Sequence, residues 1–366
     1  MTLQFAYWAP NVSGGLVISK LPQKTGWNFE DNARYAEIAE NISFDYVLLQ
    51  MRFFASYGAE LQLEAATLAS ALAARTKKLN IITAVLPGLW HPGVMAKIIS
   101  TIDHISNGRS AVNIVSGWFK GEFTGYGEPW LDHDERYRRS EEFIHVLRAL
   151  WTEEYANFKG DFYSLNDAQL KPKPVKHPEI FQGGNSKAAK EMAGRVSDVY
   201  FMNGNTLENI KAQIDEVRAL REANGLGPIK FGVNGFAIVR DTEEEAKQVL
   251  RDIVANADKE AVEGFKQSVK TAGQSTKDGQ GMWADTSYED LLQYNEGFKT
   301  GLIGTVEQVA ERIIALKQIG VDIVLTGFLH YEEDLQAFGE QVIPLVREKE
   351  ARLEVGFNDN SVSTTN

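Results

Sequence analysis

Cysteine is absent from the sequence of 366 residues. Without thiols the chain can form no disulfide, thiolate-ligated metal site or iron–sulfur cluster, and it has no cysteine nucleophile. Long hydrophobic runs are also missing. Stretches such as VNIV before Ser116 and IVLTGFL from Ile323 have the length of a strand, far below the roughly 20 residues of a membrane span. We therefore expect a soluble protein whose chemistry uses other groups.

Positive charge is in deficit, with 38 Lys and Arg residues against 50 Asp and Glu and a net charge of −12. No basic block interrupts this balance, so a nucleic-acid backbone would be repelled, and the charge is typical of a soluble surface. The opening MTLQFAYWAP has no basic segment and no small-residue cleavage site. These features predict a cytoplasmic protein.

Short apolar, β-rich segments alternate with amphipathic helical segments from one end of the chain to the other. The predicted strands are LQFAYWAP, DYVLLQM, LNIITAVLP, SAVNIVSG, EIFQGG, DVYFMNG, FGVNGFAIV and DIVLTGFL. Strands that alternate with helices indicate a parallel sheet, and apolar character on both strand faces favours a closed (β/α)8 TIM barrel. An open dinucleotide-binding sheet is disfavoured because no G-x-G-x-x-G motif follows the first strand.

The pattern predicts one barrel domain over residues 1–353 and a flexible tail over residues 354–366. Two regions interrupt the repeat. Residues 156–179 indicate a hairpin followed by a proline-stiffened segment. Residues from about 256 to 304 form a long insertion with the polar stretch SVKTAGQSTKDGQGMW, and we expect a lid there, over Ser268–Trp283.

Polar and aromatic side chains follow the predicted strands, and a parallel barrel gathers such positions at one mouth. In FQGGNSKAAKE, two glycines, Asn185 and Ser186 precede a helix whose free N–H groups could bind an anion. An ordinary glycine turn with a serine cap would have the same pattern, so both interpretations stay open. No metal is expected, because no two histidines have the spacing of metal ligands on a helix and only His133, which lies between two aspartates, is suggestive. His330 ends the last strand and is a candidate catalytic residue.

Four segments, in this order and spacing, resemble the bacterial-luciferase-like flavin monooxygenases: TIDHISNGRSAVNIVSGW, LDHDERYRRSEEF, KGDFYSLNDAQLKPKP and IFQGGNSKAAKEMAGRVSDVYF. The resemblance covers nearly the whole chain. Within this superfamily, FAYWAPNVSGGL, SGWFKGEFTGYGEPWLDHDERYRRSEEF and EGFKTGLIGT are most similar to FMNH2-dependent dimethyl sulfone monooxygenases. Alkanesulfonate monooxygenases and pyrimidine-ring-opening oxygenases are close relatives of that group.

The resemblance implies that the chain uses FMN, as FMNH2 from a separate NAD(P)H-dependent flavin reductase, with O2 as co-substrate. The protein must then exclude water, which makes the insertion the expected lid. Matched position by position, the residues implied to bind FMN are Gln50, Met51, Asn113, Ser116, Glu122, Arg136, Tyr137, Gly184, Asn185 and Ser186.

The residues expected at the substrate are Trp8, Asn11 and His330 for catalysis, and Asn234, Phe236 and Phe328 for binding. Alkanesulfonate oxygenases carry an arginine and a histidine on strand seven and a cysteine after strand two. This chain has Asn234 and Phe236 on that strand and no cysteine, which favours a neutral sulfone, because a buried anion needs fixed cations. Dimethyl sulfone would give methanesulfinate and formaldehyde. Arg52 or Lys299 could still restore a cation.

Three other functions stay open at this point. One is an alkanesulfonate or methanesulfonate monooxygenase, and another is a flavin-binding luciferase-like protein without turnover. The third is an F420-dependent dehydrogenase on the same barrel, which the Arg136–Tyr137 pair disfavours. A homo-oligomer, dimer or tetramer, is expected because EQVIPLVREKEARL carries an apolar stripe and because the family forms oligomers.

Overall fold

The predicted eight-stranded barrel is confirmed by the computed structural model, which describes residues 2–55, 57–273 and 286–362. The strands, in chain order, are β1 (Gln4–Ala9), β2 (Tyr46–Leu49), β3 (Asn80–Val85), β4 (Ser110–Ile114), β5 (Ala156–Lys159), β6 (Ser164–Ala168), β7 (Glu179–Gly183), β8 (Val199–Met202), β9 (Lys230–Phe236), β10 (Ile238–Val239), β11 (Ile303–Gly304) and β12 (Ile323–Gly327). The barrel closes in the order β1, β2, β3, β4, β7, β8, β9 and β12, with β12 beside β1, and every neighbouring pair is parallel.

Helices cover the outside of this barrel. They are α1 (Phe29–Asn41), α2 (Ala65–Arg75), α3 (Pro92–Ser106), α4 (Lys120–Gly125), α5 (His133–Thr152), α6 (Lys187–Val196), α7 (Leu207–Ala223), α8 (Glu243–Ala255), α9 (Lys259–Gly273), α10 (Val306–Gln318), α11 (Tyr331–Ala337) and α12 (Ile343–Val362). Local sequence fixes the starts of several of them. Thr242 and Glu245 form a capping box at α8, as Thr305 and Gln308 do at α10, and each box satisfies N–H groups that a helix start leaves unpaired.

Strand alternation explains why the barrel strands are apolar throughout. Successive side chains of a strand point to opposite faces, so β1 places Ala6 and Trp8 inside the barrel and Phe5 and Tyr7 outside. The outer residues join the large core between the sheet and the helices. The interior is filled by a smaller cluster: Ala6, Tyr46, Leu48, Ile82, Ala111, Phe181, Val199, Phe201, Ile323 and Leu325.

The two regions that interrupt the repeat have different structures. The predicted hairpin is confirmed, because β5 and β6 pair antiparallel. In the insertion, α9 continues to Gly273, so Ser268–Gly273 is helical where the sequence indicated aperiodic chain. The rest of the expected lid, residues 274–283, lies outside the described residues.

After this gap, two short 3-10 turns, Asp290–Leu292 and Gly297–Thr300, lead to β11, which pairs with β10. The last helix, α12, runs to Val362 and so enters the segment expected to be a flexible tail, of which residues 363–366 lie outside the described part. Within the described ranges, no helix is long and apolar enough to cross a membrane.

Candidate active site

A cavity opens at the carboxyl ends of the barrel strands, where the sequence places its candidate residues. Its wall comes from β1, β2, β3, β4, β7, β8 and β9, the loops after several of them, the start of α5 and residues 294–295. Of the residues assigned to the site from the sequence, the structure brings these to the cavity: Trp8, Gln50, Met51, Asn113, Ser116, Arg136, Tyr137, Gly184, Asn185, Ser186 and Asn234.

One end of the cavity is the turn between β7 and α6. Gly184 has a φ of +126°, and a Cβ added there would lie 2.4 Å from the Tyr137 hydroxyl oxygen. The buried Ser186 side chain caps α6 by accepting a hydrogen bond from Ala189 N at 3.3 Å, and it also bonds the Tyr137 side chain. Burial raises the pKa of Tyr137, so its hydroxyl stays a donor at neutral pH. This turn directs helix N–H groups at the cavity, as an anion requires.

A buried cation lies at the same end. The Arg136 guanidinium sits 4.1 Å over the Trp130 ring, and its Nη1 donates to Leu131 O at 2.8 Å. Arg136 Nε has no hydrogen-bond partner among the described residues. Burial lowers the pKa of Arg136 to about 10, which leaves it charged at neutral pH. The His133 ring lies 5.0 Å from that of Tyr137 and completes this end of the wall.

Two amide oxygens in the cavity wall, Asn113 Oδ1 and Asn185 Oδ1, are buried without a hydrogen-bond partner in the described part of the chain. Such a group costs about 1–3 kcal/mol when it stays unsatisfied, so these atoms indicate a ligand. Met51 contributes an apolar surface, and Gln50 Nε2 donates to Ala9 O at 3.3 Å. Ser116 Oγ is 2.9 Å from Ser140 Oγ.

Asn234 lines the cavity, but its polar atoms bind other parts of the chain. Its Oδ1 accepts a hydrogen bond from Trp8 Nε1 at 2.7 Å. Its Nδ2 donates to Gln293 Oε1 at 3.1 Å and to Asn295 O at 2.9 Å. Asn234 thus holds the Trp8 indole and ties β9 to the segment after the insertion. Binding of substrate oxygens by Asn234 stays a prediction, although its amide atoms already have these partners.

Asn11 and His330, assigned to catalysis from the sequence, do not line the cavity. Asn11 is fully buried, and its Nδ2 donates to Gln50 O at 3.0 Å and to Leu63 O at 2.9 Å, so it joins the loops after β1 and β2. His330 Nδ1 accepts from Lys24 N at 3.3 Å, at the start of α11. Both side chains hydrogen-bond to the backbone of loops beside the barrel mouth.

Phe236 and Phe328, expected at the substrate, are also outside the cavity wall. Phe236 is the last residue of β9 and packs against Phe298, with ring centroids 5.2 Å apart. Phe328 follows β12 and packs against Tyr331 and Phe338, each with a centroid distance of 5.6 Å. Both rings belong to the core outside the barrel.

Arg52 lies in the cavity wall. Its guanidinium is 4.4 Å from the Trp118 ring centroid, and Nη1 donates to Met51 O at 2.8 Å. Glu122 Oε2 lies 3.9 Å from Arg52 Nη1, and the Glu122 side chain is 1% exposed against 14% for Arg52. Glu122, implied by the resemblance to bind the flavin, does not line the cavity. Its Oε1 accepts from Phe53 N at 2.6 Å and Phe54 N at 3.3 Å.

Tyr57 and Tyr294 are cavity residues that sequence reasoning missed. The Tyr294 hydroxyl donates to Tyr57 O, and the Tyr57 hydroxyl bonds Ser268 Oγ at 3.0 Å. Phe265 of α9 packs against Tyr294 at 4.9 Å and against Trp118 at 5.4 Å. Tyr57 and Tyr294 occur in loops without periodicity, so the sequence pattern gave no signal that they would meet at the cavity.

Lys299, considered as a cation for the site, does not line the cavity. Its Nζ pairs with Glu296 Oε1 at 2.7 Å and lies 3.6 Å from Asp290 Oδ2. Over the described ranges, no three His, Asp or Glu side chains are grouped so that they could hold a metal ion.

Comparison with known proteins assigns the chain to a family. The model of the luciferase-like monooxygenases matches residues 3–323. The FMNH2-dependent dimethylsulfone monooxygenase of Pseudomonas putida is 59% identical over 350 residues, which are 95% of this chain and 96% of that protein. The enzyme of the same name from Pseudomonas fluorescens strain Pf0-1 is 56% identical, over 96% of each chain.

Solved structures agree on the fold. A riboflavin lyase bound to modified FMN and riboflavin has a TM-score of 0.84 at 20% identity, covering 96% of this chain and 92% of that one. A long-chain alkane monooxygenase has a TM-score of 0.81 at 19% identity, with the same coverage. The family match over most of the chain and the near-complete relatives lead to one conclusion: the chain belongs to the luciferase-like monooxygenase family.

Proposed function

We propose that this protein is an FMNH2-dependent monooxygenase that oxidises dimethyl sulfone with O2. Sulfone, O2 and FMNH2 give methanesulfinate, formaldehyde, water, FMN and a proton. The observation that carries the proposal is 59% identity, over 95% of the chain, to an enzyme of that name. A cavity with binding groups for a flavin mononucleotide supports it.

The residues present fit FMN. The turn at Gly184 and Ser186, with Tyr137 and the buried cation of Arg136, offers N–H, O–H and guanidinium donors to a phosphate. Asn113 and Asn185 line the same cavity and each has an unpartnered amide oxygen in the described part of the chain, and Met51 and Gln50 would lie against the ring. Ser116 also lines the wall. The sequence has no cysteine and no histidine in an obvious attachment motif for a covalent link, so FMN should bind reversibly.

Bound FMNH2 would supply the electrons that activate oxygen. The contribution of the chain itself is to orient the sulfone and to keep water away. Trp8, Tyr57, Trp118 and Tyr294 line the cavity with aromatic surface that suits the methyl groups of a small sulfone. Asn234 fixes the Trp8 ring through its hydrogen bond to Nε1. A rigid apolar wall holds a methyl carbon of the sulfone in place and excludes water, which favours oxidation of the sulfone over unproductive reduction of O2.

The charge of the cavity favours a neutral substrate over a sulfonate. The position on β9 that carries a cation in alkanesulfonate oxygenases is Asn234, whose amide is engaged by Trp8, Gln293 and Asn295. Away from the phosphate end, the cation in the described wall is Arg52, which has Glu122 beside it. A sulfonate beside Arg52 would also lie near the Glu122 carboxylate, so the two side chains together would offer it no net positive charge.

Product analysis tests the function. Purified protein with a flavin reductase, NADH, FMN and O2 should release formaldehyde from dimethyl sulfone faster than it releases sulfite from methanesulfonate. A reaction without protein measures oxygen consumed by free reduced flavin. Sulfite formation that exceeds formaldehyde formation would replace the sulfone with an alkanesulfonate, and flavin binding without substrate-dependent oxygen uptake would indicate a protein without turnover.

The proposal includes a separate NAD(P)H-dependent flavin reductase as a partner, because the dimethylsulfone monooxygenases similar to this chain depend on FMNH2, which another enzyme must supply in reduced form. We also propose a cytoplasmic location, where NAD(P)H for that reductase is available.

A homo-oligomer stays a prediction, but the apolar stripe of the last helix no longer supports it. The apolar stripe around α12 is covered by the chain itself, since Val342, Ile343 and Val346 are buried. Phe54 and Tyr126, by contrast, are 38% and 56% exposed, with ring centroids 5.2 Å apart. We expect light scattering at micromolar concentration to give at least twice the protomer mass of 40.8 kDa. A mass of one protomer would contradict this.

A further inference from the structure

We propose that Glu122 neutralises Arg52 in the cavity wall, so that the site admits a neutral sulfone and rejects sulfonate and sulfinate anions. The inference rests on the proposed function and adds to it the residue that sets the charge selectivity. It assigns Glu122 a positioning role behind the wall and Arg52 a role at the substrate.

The geometry fixes both partners. Glu122 lies in α4, and its Oε1 accepts the backbone N–H groups of Phe53 and Phe54, which directly follow Arg52. Its Oε2 lies 3.9 Å from Arg52 Nη1 and accepts no hydrogen bond in the described part of the chain. The carboxylate therefore holds the loop that carries Arg52 and keeps one oxygen beside the guanidinium. Since both groups are largely withdrawn from water, solvent screens their interaction weakly.

Arg52 lies on the aromatic side of the cavity and not at the phosphate end. Its guanidinium stacks on Trp118, which follows β4, and Trp118 contacts Phe265 of α9. The phosphate end is built by other elements, namely the start of α5 and the turn before α6. A guanidinium has five N–H donors, and one of them binds Met51 O. Arg52 can thus donate to a sulfone oxygen in the wall that suits the methyl groups.

The charge pair also matters after the reaction. When the C–S bond breaks, its electron pair stays on sulfur, the carbon becomes formaldehyde, and methanesulfinate leaves as an anion. An unpaired arginine would retain this anion, because a charge-assisted, bidentate contact is among the strongest hydrogen-bonded pairs. With Glu122 beside it, Arg52 can hydrogen-bond the neutral sulfone and still release the charged product.

The test compares four forms of the FMN-bound protein by calorimetric titration with dimethyl sulfone and with methanesulfonate. In Glu122→Gln the amide oxygen can still accept from Phe53 and Phe54, while the negative charge is lost. Arg52→Met combined with Glu122→Gln removes both charges. Glu40→Gln is the matched control. Like Glu122, Glu40 accepts hydrogen bonds from consecutive backbone N–H groups, in its case those of residues 77–79, but it does not line the cavity.

We expect the wild type to bind dimethyl sulfone at least about tenfold more tightly than methanesulfonate. Glu122→Gln should bind methanesulfonate about tenfold more tightly than the wild type, which corresponds to a modest charge-pair energy. The double variant should lose this gain and bind dimethyl sulfone about fivefold more weakly than the wild type, because a charged donor is gone. Glu40→Gln should match the wild type with both ligands.

Four results would each overturn the inference: a gain below twofold in Glu122→Gln, an equal gain in Glu40→Gln, a gain that persists without Arg52, or a wild type that binds both ligands equally. The comparison of the two ligands on the wild type needs no variant, so it can contradict the inference even if a variant does not fold. The titration requires no turnover. If formaldehyde release fails but the anion gain in Glu122→Gln is found, the proposed function is wrong and the masking of Arg52 stands.

Discussion

Replacing Gly184 with alanine is expected to lower the affinity for FMN by about a hundredfold while the barrel still folds. Gly184 has a φ of +126°, a region that L-residues rarely adopt. An added Cβ would lie 2.4 Å from the Tyr137 hydroxyl oxygen and 2.9 Å from Ala189 Cβ. The turn must then shift, and with it the Ser186 cap and the α6 N–H groups that we propose bind the phosphate. Fluorescence titration of FMN gives the affinity.

Gly225→Ala provides the control for backbone strain. Gly225 also has a positive φ, +67°, but a Cβ there would meet nothing within 4 Å, and the residue does not line the cavity. We expect this variant to bind FMN like the wild type and to lose only about 1 kcal/mol of stability. Equal FMN affinity in the Gly184 variant and the wild type would place the phosphate elsewhere in the cavity.

The barrel was predictable because its pattern is local. Each strand alternates between the two faces, and both faces are apolar because the interior is filled by side chains such as Phe181 and Leu325 while the outer face meets helices. The turn before α6 was also predictable, since two glycines and a serine cap are adjacent in sequence. Asn185 and Ser186, which this local pattern singled out, reach the cavity, and so does Tyr137, which the family resemblance implied.

Side-chain direction at the strand ends follows from alternation only when the inward face of each strand is known, and two apolar faces do not show which one that is. Ile323 and Leu325 point into the barrel, so the alternation sends Phe328 outward, to Phe338. Phe236 ends β9 under the 3-10 turn at Gly297–Thr300, where Phe298 covers it. That turn follows the insertion, far along the chain. The strand ends therefore indicate where the cavity lies, but packing against segments distant in sequence determines which strand-end side chains line it.

The position of Arg52 has the same cause. Its loop is held by Glu122, about seventy residues further along the chain, through hydrogen bonds to Phe53 and Phe54 N–H groups. Neither the pairing nor the stacking on Trp118 has a sequence signal, because both depend on how the loops after β2 and β4 meet. Polar pairs between loops of different units are the part of the site that only the folded structure shows.

Replacing Asn234 with leucine is expected to cost about 3 kcal/mol of stability and to lower kcat/KM for dimethyl sulfone at least about tenfold. The side chain is buried and makes three hydrogen bonds, with Trp8 Nε1, Gln293 Oε1 and Asn295 O. Leucine satisfies none of them, so polar groups stay buried without their partner. The Trp8 indole also loses the contact that fixes it in the cavity wall. For a chain of this size, the midpoint of thermal unfolding should fall by about 4 °C.

A double-mutant cycle with Trp8→Phe separates the positioning of Trp8 from the link to the segment after the insertion. Trp8→Phe removes the Nε1 donor together with part of the ring surface and should cost about 2 kcal/mol, with Asn234 still bound to Gln293 and Asn295. If Asn234 acts on the reaction through Trp8, Asn234→Leu should lower kcat/KM little further in the Trp8→Phe background, whereas the stability cost of the link to Gln293 and Asn295 should remain. A full additional loss of kcat/KM in the double variant would show that Asn234 serves the substrate directly and not by holding the Trp8 ring.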